Sequence, residues 1–283
     1  AVIEPISGPQ VEGGTVVVRD GRIAAVGRNV RVPAGAERFD AAGRPLTPGL
    51  IDAHAHVGLV EEGLPGDADY NENTDPVTPH LRTIDAFRPM DGALLEAAQS
   101  GVTAAFIAPG SANVVGGLGA VVKTVAVAWD RQVVRADAGL KMATGENPKR
   151  VYGQQNKLPS TRMGTAAVLR CALTAAQVYA EKKRRHKRRK STKDPFEIDL
   201  KQEALAALLA GAYPARCHAH RSTDMLAALR IAEEFGFEVV FEHATECRDI
   251  LDELARRDVP VVIGPSMTCR MKVELREKGF EAV

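Results

Sequence analysis

From Leu50 onward the chain repeats one unit, and that repeat limits its fold more than any other feature. A short apolar run comes first, then a polar loop, then a stretch with helical spacing. The apolar runs are "GLIDAHAHV" (49–57), "GVTAAFIAP" (101–109), "GLKMAT" (139–144), "ARCHAH" (215–220), "EVVFEHAT" (238–245) and "PVVIGPS" (260–266). The run "AVVKTVAVA" (120–128) fits either another strand or a helix segment. Helical patterns lie in "MDGALLEAAQS", "STDMLAALRIAEEFG" and "CRDILDELARRD", and a long one over about 163–190 is followed by another at about 198–210. Strands alternating with helices predict an α/β protein around a parallel sheet, most economically a (β/α)-barrel of the TIM type.

Residues 1–47 have a different texture. In "GTVVVRDGRIAAVG" two alternating apolar runs meet at Asp20-Gly21, a strong two-residue hairpin signal. The expected organisation is a small N-terminal β part of a sandwich, 1–47, followed by a barrel over 48–283.

The apolar runs also carry the chemistry. In "PGLIDAHAHVGL", His54 and His56 are two apart, so on a strand both imidazoles point to one face. Five of the seven histidines, His54, His56, His218, His220 and His243, fall at the ends of three apolar runs, while His80 and His186 do not. A βα barrel places its active site at the C-terminal strand ends. Imidazole is the commonest neutral ligand for zinc and related ions, so these residues are candidates for holding one or two divalent metal ions. A catalytic centre of this kind leaves a position open for water and needs a general base to take the water proton.

"TPGLIDAHAHVG", preceded by a small β unit and followed by βα repeats with "CHAH" and "EHATE", resembles the amidohydrolase superfamily, in particular its imidazolonepropionase-like and prolidase-like branches. The likeness covers essentially the whole chain. It implies a metal-dependent hydrolase that cleaves a non-peptide or dipeptide C–N bond, an amide or cyclic amide, with zinc as the expected ion. It further implies that His54 and His56 are strand-one ligands, His218 the strand-five ligand and His243 the strand-six ligand. His220 matches a substrate contact. Two residues compete for the anionic ligand of strand four, Lys141 of "GLKMATGENP", carbamylated to bridge two metals, and Glu146. Lys141 is favoured.

The same resemblance implies a catalytic aspartate at the end of strand eight. "PVVIGPSMT" counts as strand seven, "KVELREKGFEA" reads as a helix, and no Asp lies between 266 and 283. Strands one to seven are therefore expected, with strand eight and its Asp missing. The parent polypeptide is expected to continue for about 100 residues, and with no Met at position 1 the chain also reads as trimmed at its start.

Two other functions compete with the hydrolase. One is a superfamily deaminase of a nitrogen heterocycle, disfavoured because "HAHRSTD" has no glutamate near the strand-five histidine. The other is a catalytically incompetent barrel acting as a binding protein.

Polar loops 68–80, 108–117 and "GENPKRVYG" read as pocket walls, with Lys149, Arg150 and Tyr152 able to hold a substrate carboxylate. A small-molecule substrate is the expected partner, and self-association into a homo-oligomer is compatible with the sequence. The basic run 182–190 carries eight Lys/Arg without interleaved aromatic residues, so it reads as a solvated helix end rather than a nucleic-acid surface. No apolar run approaches the roughly 20 residues of a membrane span. The four scattered cysteines suit a reducing, cytoplasmic setting.

Overall fold

A computed structural model describes residues 1–60, 66, 68–125, 128–189, 195–264 and 274. It divides into two compact units, Ala1–Leu50 and Ile51–Val283. In the first, β2 (Thr15–Arg19) and β3 (Arg22–Gly27) form an antiparallel hairpin, and β1 (Val2–Ile3) pairs in parallel with β4 (Pro45–Leu46). Asp20 and Gly21 turn the hairpin at φ 52° and 71°, the left-handed pair that a two-residue turn of this hand requires. The described residues thus hold two separate two-stranded sheets where the sequence predicts part of a sandwich.

The second unit is built on one seven-stranded sheet. Its strands are β5 (Leu50–Ala55), β6 (Val102–Ile107), β7 (Val115–Lys123), β8 (Val133–Ala143), β9 (Ala215–Ala219), β10 (Val239–His243) and β11 (Val261–Ile263), side by side in that order. Helices α1 (Gly92–Gln99), α2 (Trp129–Gln132), α3 (Glu146–Gln154), α4 (Arg162–Arg189), α5 (Leu200–Leu209), α6 (Ser222–Phe235) and α7 (Leu251–Arg256) connect them. The helix expected over 272–282 lies outside the described residues, apart from Glu274.

The sheet departs from an all-parallel barrel at one strand. β7 runs antiparallel to both β6 and β8, whereas β8, β9, β10 and β11 pair in parallel. The cause is chain length. Only seven residues, 108–114, link β6 to β7, too few for a parallel crossover, which needs a dozen or more. The ambiguous run at 120–128 is therefore a strand, but one that starts at Val115 and ends at Lys123.

The sheet also curls strongly. In a flat sheet β5 and β10, five strand spacings apart, would be separated by about 24 Å. Instead His54 Nδ1 lies 3.0 Å from Glu242 Oε2, and Arg216 Nη2 on β9 donates to Ala53 O on β5 at 2.6 Å. The seven strands form a nearly closed, barrel-like sheet. Its interior is filled where the Arg216 guanidinium stacks 4.0 Å above the centre of the Phe106 ring. Two glycines make that stack fit. A Cβ on Gly139 would stand 2.6 Å from Arg216 Cγ, and one on Gly119 would stand 2.5 Å from Phe106 Cζ and 2.9 Å from Ile107 O.

The outer face of the sheet carries the main core. Leu140, Met142, Ala215, Cys217, Val239 and Phe241 pack with Leu169, Leu173 and Ala176 of α4 and Leu205 and Leu208 of α5. The long helical insertion is thus integral to the core through its first half. Beyond Ala176 the helix turns polar, and Lys182–Arg185, Lys187 and Arg188 are exposed. Lys183 pairs with Glu203, and Arg184 and Arg185 pair with Glu181. The last residue of the basic run, Lys190, lies outside the described residues. Among the described residues no helix is long and apolar enough to cross a membrane.

Candidate metal centre

Strand alternation delivers most of the centre. On β5, Ala55 packs outward with Ala105, Ile107, Ala120 and Val122, which turns His54 and His56 to the opposite, inner face. On β8, Leu140 and Met142 belong to the outer core, so Lys141 points inward. On β9, Ala215, Cys217 and Ala219 face the core, leaving Arg216, His218 and His220 inside. β10 needs one further device. Phe241 packs outward and Glu242 inward, and strict alternation would send His243 outward again. His243 adopts φ 70° and Ala244 φ 42°. These left-handed conformations, uncommon for residues other than glycine, end the strand and bring His243 in beside Glu242.

The five strand-end histidines form one continuous cluster. Ring centres are 5.2 Å apart for His54–His56, 4.7 Å for His54–His243, 4.5 Å for His218–His243, 4.8 Å for His218–His220 and 5.1 Å for His220–His243. Backbone hydrogen bonds fix the orientation of two of these rings. His56 Nδ1 lies 2.8 Å from Ala108 O, and His243 Nδ1 lies 2.7 Å from Gly264 O. A carbonyl only accepts, so Nδ1 carries the proton in both rings and the Nε2 lone pair remains available. Burial, outweighing that backbone bond, lowers His56 to about 4. Burial, helped by neighbouring His54, lowers His243 to about 3. Both rings are therefore neutral at pH 7, and neutral imidazoles fixed in one tautomer by a backbone acceptor are typical metal ligands.

The sequence pattern missed the residue that anchors the cluster. Glu242 is fully buried, and its carboxylate meets Lys141 Nζ, His54 Nδ1 at 3.0 Å and Arg216 Nε at 3.0 Å. Burial alone would push this carboxyl up, but the Lys141 charge, with His54 and Arg216, holds it well below the usual carboxylate range. The signal was present in "FEHAT", but alternation places positions 242 and 243 on opposite faces, and only the unusual backbone at His243 unites them.

The two rivals for the anionic ligand are in different surroundings. Lys141, 1% exposed, lies inside the cluster against Glu242. Glu146 begins α3, where its amide donates to Glu274 Oε1 at 2.8 Å and its own Oε2 accepts from Glu274 N at 3.3 Å. Of the loop residues, Arg150 is exposed and Lys149 half-buried. Tyr152 is fully buried. Its hydroxyl donates to Asp75 O at 2.8 Å and accepts from Asn113 Nδ2 at 3.1 Å, so it braces the 68–80 loop rather than facing a substrate. That loop, with Leu59, Thr83 and Asn113, lines a cavity of about 300 Å³. One of its walls, Tyr70, has its ring centre 5.3 Å from that of His56.

Acid should loosen this centre in the metal-free chain. Once unfolded, His56 and His243 take up protons near their ordinary value of 6.5, whereas folded they resist down to about 4 and about 3. Between those values the unfolded state binds more protons, so stability falls as pH falls. Glu242 acts in the same direction below its ordinary 4.5, because the folded carboxylate stays ionised. Urea unfolding in EDTA should therefore give a lower midpoint at pH 5 than at pH 7.5, and an equal or higher midpoint at pH 5 would contradict this account.

No family model matches the chain. A solved structure titled amidohydrolase from Thermotoga maritima MSB8 superposes with a TM-score of 0.88 at 45% identity, covering 98% of this chain and 71% of that one. The chain belongs to the amidohydrolase superfamily. Amidohydrolase tasK of Hapsidospora irregularis is 33% identical over 265 residues, 86% of this chain and 27% of tasK. An imidazolonepropionase of Acidiphilium cryptum is 51% identical over 49 residues, 17% of this chain and 12% of that enzyme. The chain thus spans only part of the curated relatives that it matches.

Proposed function

We propose that this amidohydrolase acts as a metal-dependent hydrolase on the C–N bond of an amide or cyclic amide. The observation that carries the reading is the cluster of five imidazoles, two buried and three half-buried, gathered from β5, β9 and β10. His54, His56 and His243 would hold one ion, with His218 and Lys141 completing a one- or two-metal centre, and zinc suits such a nitrogen-rich set. A divalent ion there supplies Lewis-acid polarisation of the scissile carbonyl and a supply of hydroxide at neutral pH. Carbamylation of Lys141 by carbon dioxide would form an Nζ–C bond, release two protons from the starting ammonium and turn a cation into an anionic ligand. That change fits a centre whose other donors are neutral.

The remaining residues have supporting parts. The backbone carbonyls of Ala108 and Gly264 hold the lone pairs of His56 and His243 in place. Glu242 balances the positive charge around Lys141 and Arg216. His220 Nδ1 is 2.9 Å from Thr245 Oγ1, and Tyr70, whose ring centre lies 5.3 Å from that of His56, is one wall of a cavity of about 300 Å³ that would take a small-molecule substrate.

The test uses the full polypeptide that contains this chain, loaded with zinc and supplied with a panel of linear amides, cyclic amides and nitrogen heterocycles. Release of a carboxylate together with an amine, or ring opening of a cyclic amide, supports the reading. Ammonia released from heterocycles without amide cleavage would replace it with the deaminase. A metal-loaded protein that turns over none of the panel would favour a binding protein.

A further inference from the structure

The carboxamide of Asn147 is buried with its acceptor unused. Asn147 is the second residue of α3 and only 7% exposed. Its Nδ2 donates to Ser111 Oγ at 2.7 Å and lies 3.3 Å from His218 Nε2. Its Oδ1 is shielded from water and has no hydrogen-bond partner among the described residues. A buried carbonyl oxygen left without a donor costs stability. This one, beside the histidine cluster, calls for a donor that the folded chain does not itself provide.

The fold holds this oxygen in position. Gly145, at φ 86°, turns the chain from β8 into α3. A Cβ there would stand 2.6 Å from Asp224 Oδ2 and 2.7 Å from Glu274 Oε1, so the turn needs glycine. The start of α3 is tied down where the Glu146 amide donates to Glu274 Oε1 at 2.8 Å. Arg162 in turn clamps that carboxylate to Asp224 with two bonds of 2.7 Å. Further along, Tyr152 fastens the helix to the 68–80 loop through Asp75 O. The oxygen and nitrogen of one carboxamide are about 2.2 Å apart, so Oδ1 lies within about 5.5 Å of His218 Nε2.

Only a donor satisfies a carbonyl oxygen. In an amide substrate the carbonyl is an acceptor and the N–H is the donor. A tertiary amide has no such hydrogen, and would press an N-alkyl carbon against a buried oxygen. We propose that Asn147 is a specificity-determining residue that accepts the N–H of the substrate amide. The site then takes amides and cyclic amides that keep an N–H and rejects their N-alkylated counterparts. This rests on the amide reading above and narrows its substrate class. Ser111 orients the carboxamide by accepting from Nδ2. A site built to hydrogen-bond a substrate N–H discriminates against the analogue lacking it, because the buried acceptor is then left bare.

The experiment measures binding separately from turnover, by ligand-observed NMR on the zinc-loaded full polypeptide. The probes are 2-pyrrolidinone and N-methylacetamide, each beside its N-methylated counterpart, 1-methyl-2-pyrrolidinone and N,N-dimethylacetamide. Wild type should bind the N–H member of each pair at least about 10-fold more tightly, and Asn147→Leu should bring each pair within about twofold. Equal binding within each pair by wild type, no binding of either pair, or an undiminished preference in N147L would overturn the proposal. Melting in EDTA checks folding. If leucine overpacks the site and N147L fails to fold, Asn147→Ala, which only deletes atoms, decides by the same ratio. An N–H preference that N147L loses, in a protein that hydrolyses no amide of the panel, would keep this assignment and overturn the hydrolase reading instead.

Discussion

Replacing both His54 and His56 with alanine is expected to remove one equivalent of metal and lower turnover of the full polypeptide at least about 100-fold. That is the upper range of losses seen when groups merely supporting metal ligands are removed. The two rings share the inner face of β5, and His56 is oriented by Ala108 while His54 touches both Glu242 and the His243 ring. Neither substitution should unfold the chain. Both side chains line the inner face, whereas the apolar packing of β5 runs through Ala55 on the other face. Elemental analysis of protein purified in zinc-containing medium, paired with thermal melts in EDTA, separates lost ligands from lost fold. Unchanged metal content in the double variant would rule out this strand as the seat of the ion.

The sequence predicts this part of the molecule because it depends on local rules. Period-two alternation puts His54 with His56 and His218 with His220, and apolar runs bounded by polar loops mark the strands that carry them. What it obscured needs either chain geometry or distance. The antiparallel course of β7 follows from the short 108–114 link, which reads equally well as a loop before a helix. Glu242 was hidden by the same alternation rule that revealed the histidines, since a strand that ends with φ 70° at His243 breaks the rule at the position where it was applied. Glu274 lies 128 residues from its partner Glu146, in a charged stretch that on its own reads as an exposed helix, so no local pattern points to it. Tyr152 illustrates the opposite error. A tyrosine beside Lys149 and Arg150 resembles a carboxylate-binding group, yet it is buried with its hydroxyl spent on the Asp75 carbonyl.

Glu242 should be the most sensitive single residue for stability. Its carboxylate touches Lys141, His54 and Arg216 together, and it is fully buried with Lys141 beside it. Glu242→Ala would strand two cations in the barrel interior. Removing one partner of a buried ion pair costs about 3–5 kcal/mol, because the partner left behind keeps its desolvation penalty. Glu242→Gln keeps the volume and one acceptor oxygen, so it should fall between wild type and alanine in urea unfolding at pH 7.5. A coupled outcome is expected as well. Lys141→Met in the Glu242→Gln background removes a stranded charge, so the double variant should be less destabilised than the two single changes added together. Additive losses would mean that Lys141 and Glu242 do not pair in the metal-free chain. In that case Lys141 would already be uncharged, or carbamylated, before any metal arrives, and Glu242 would serve Arg216 and His54 alone.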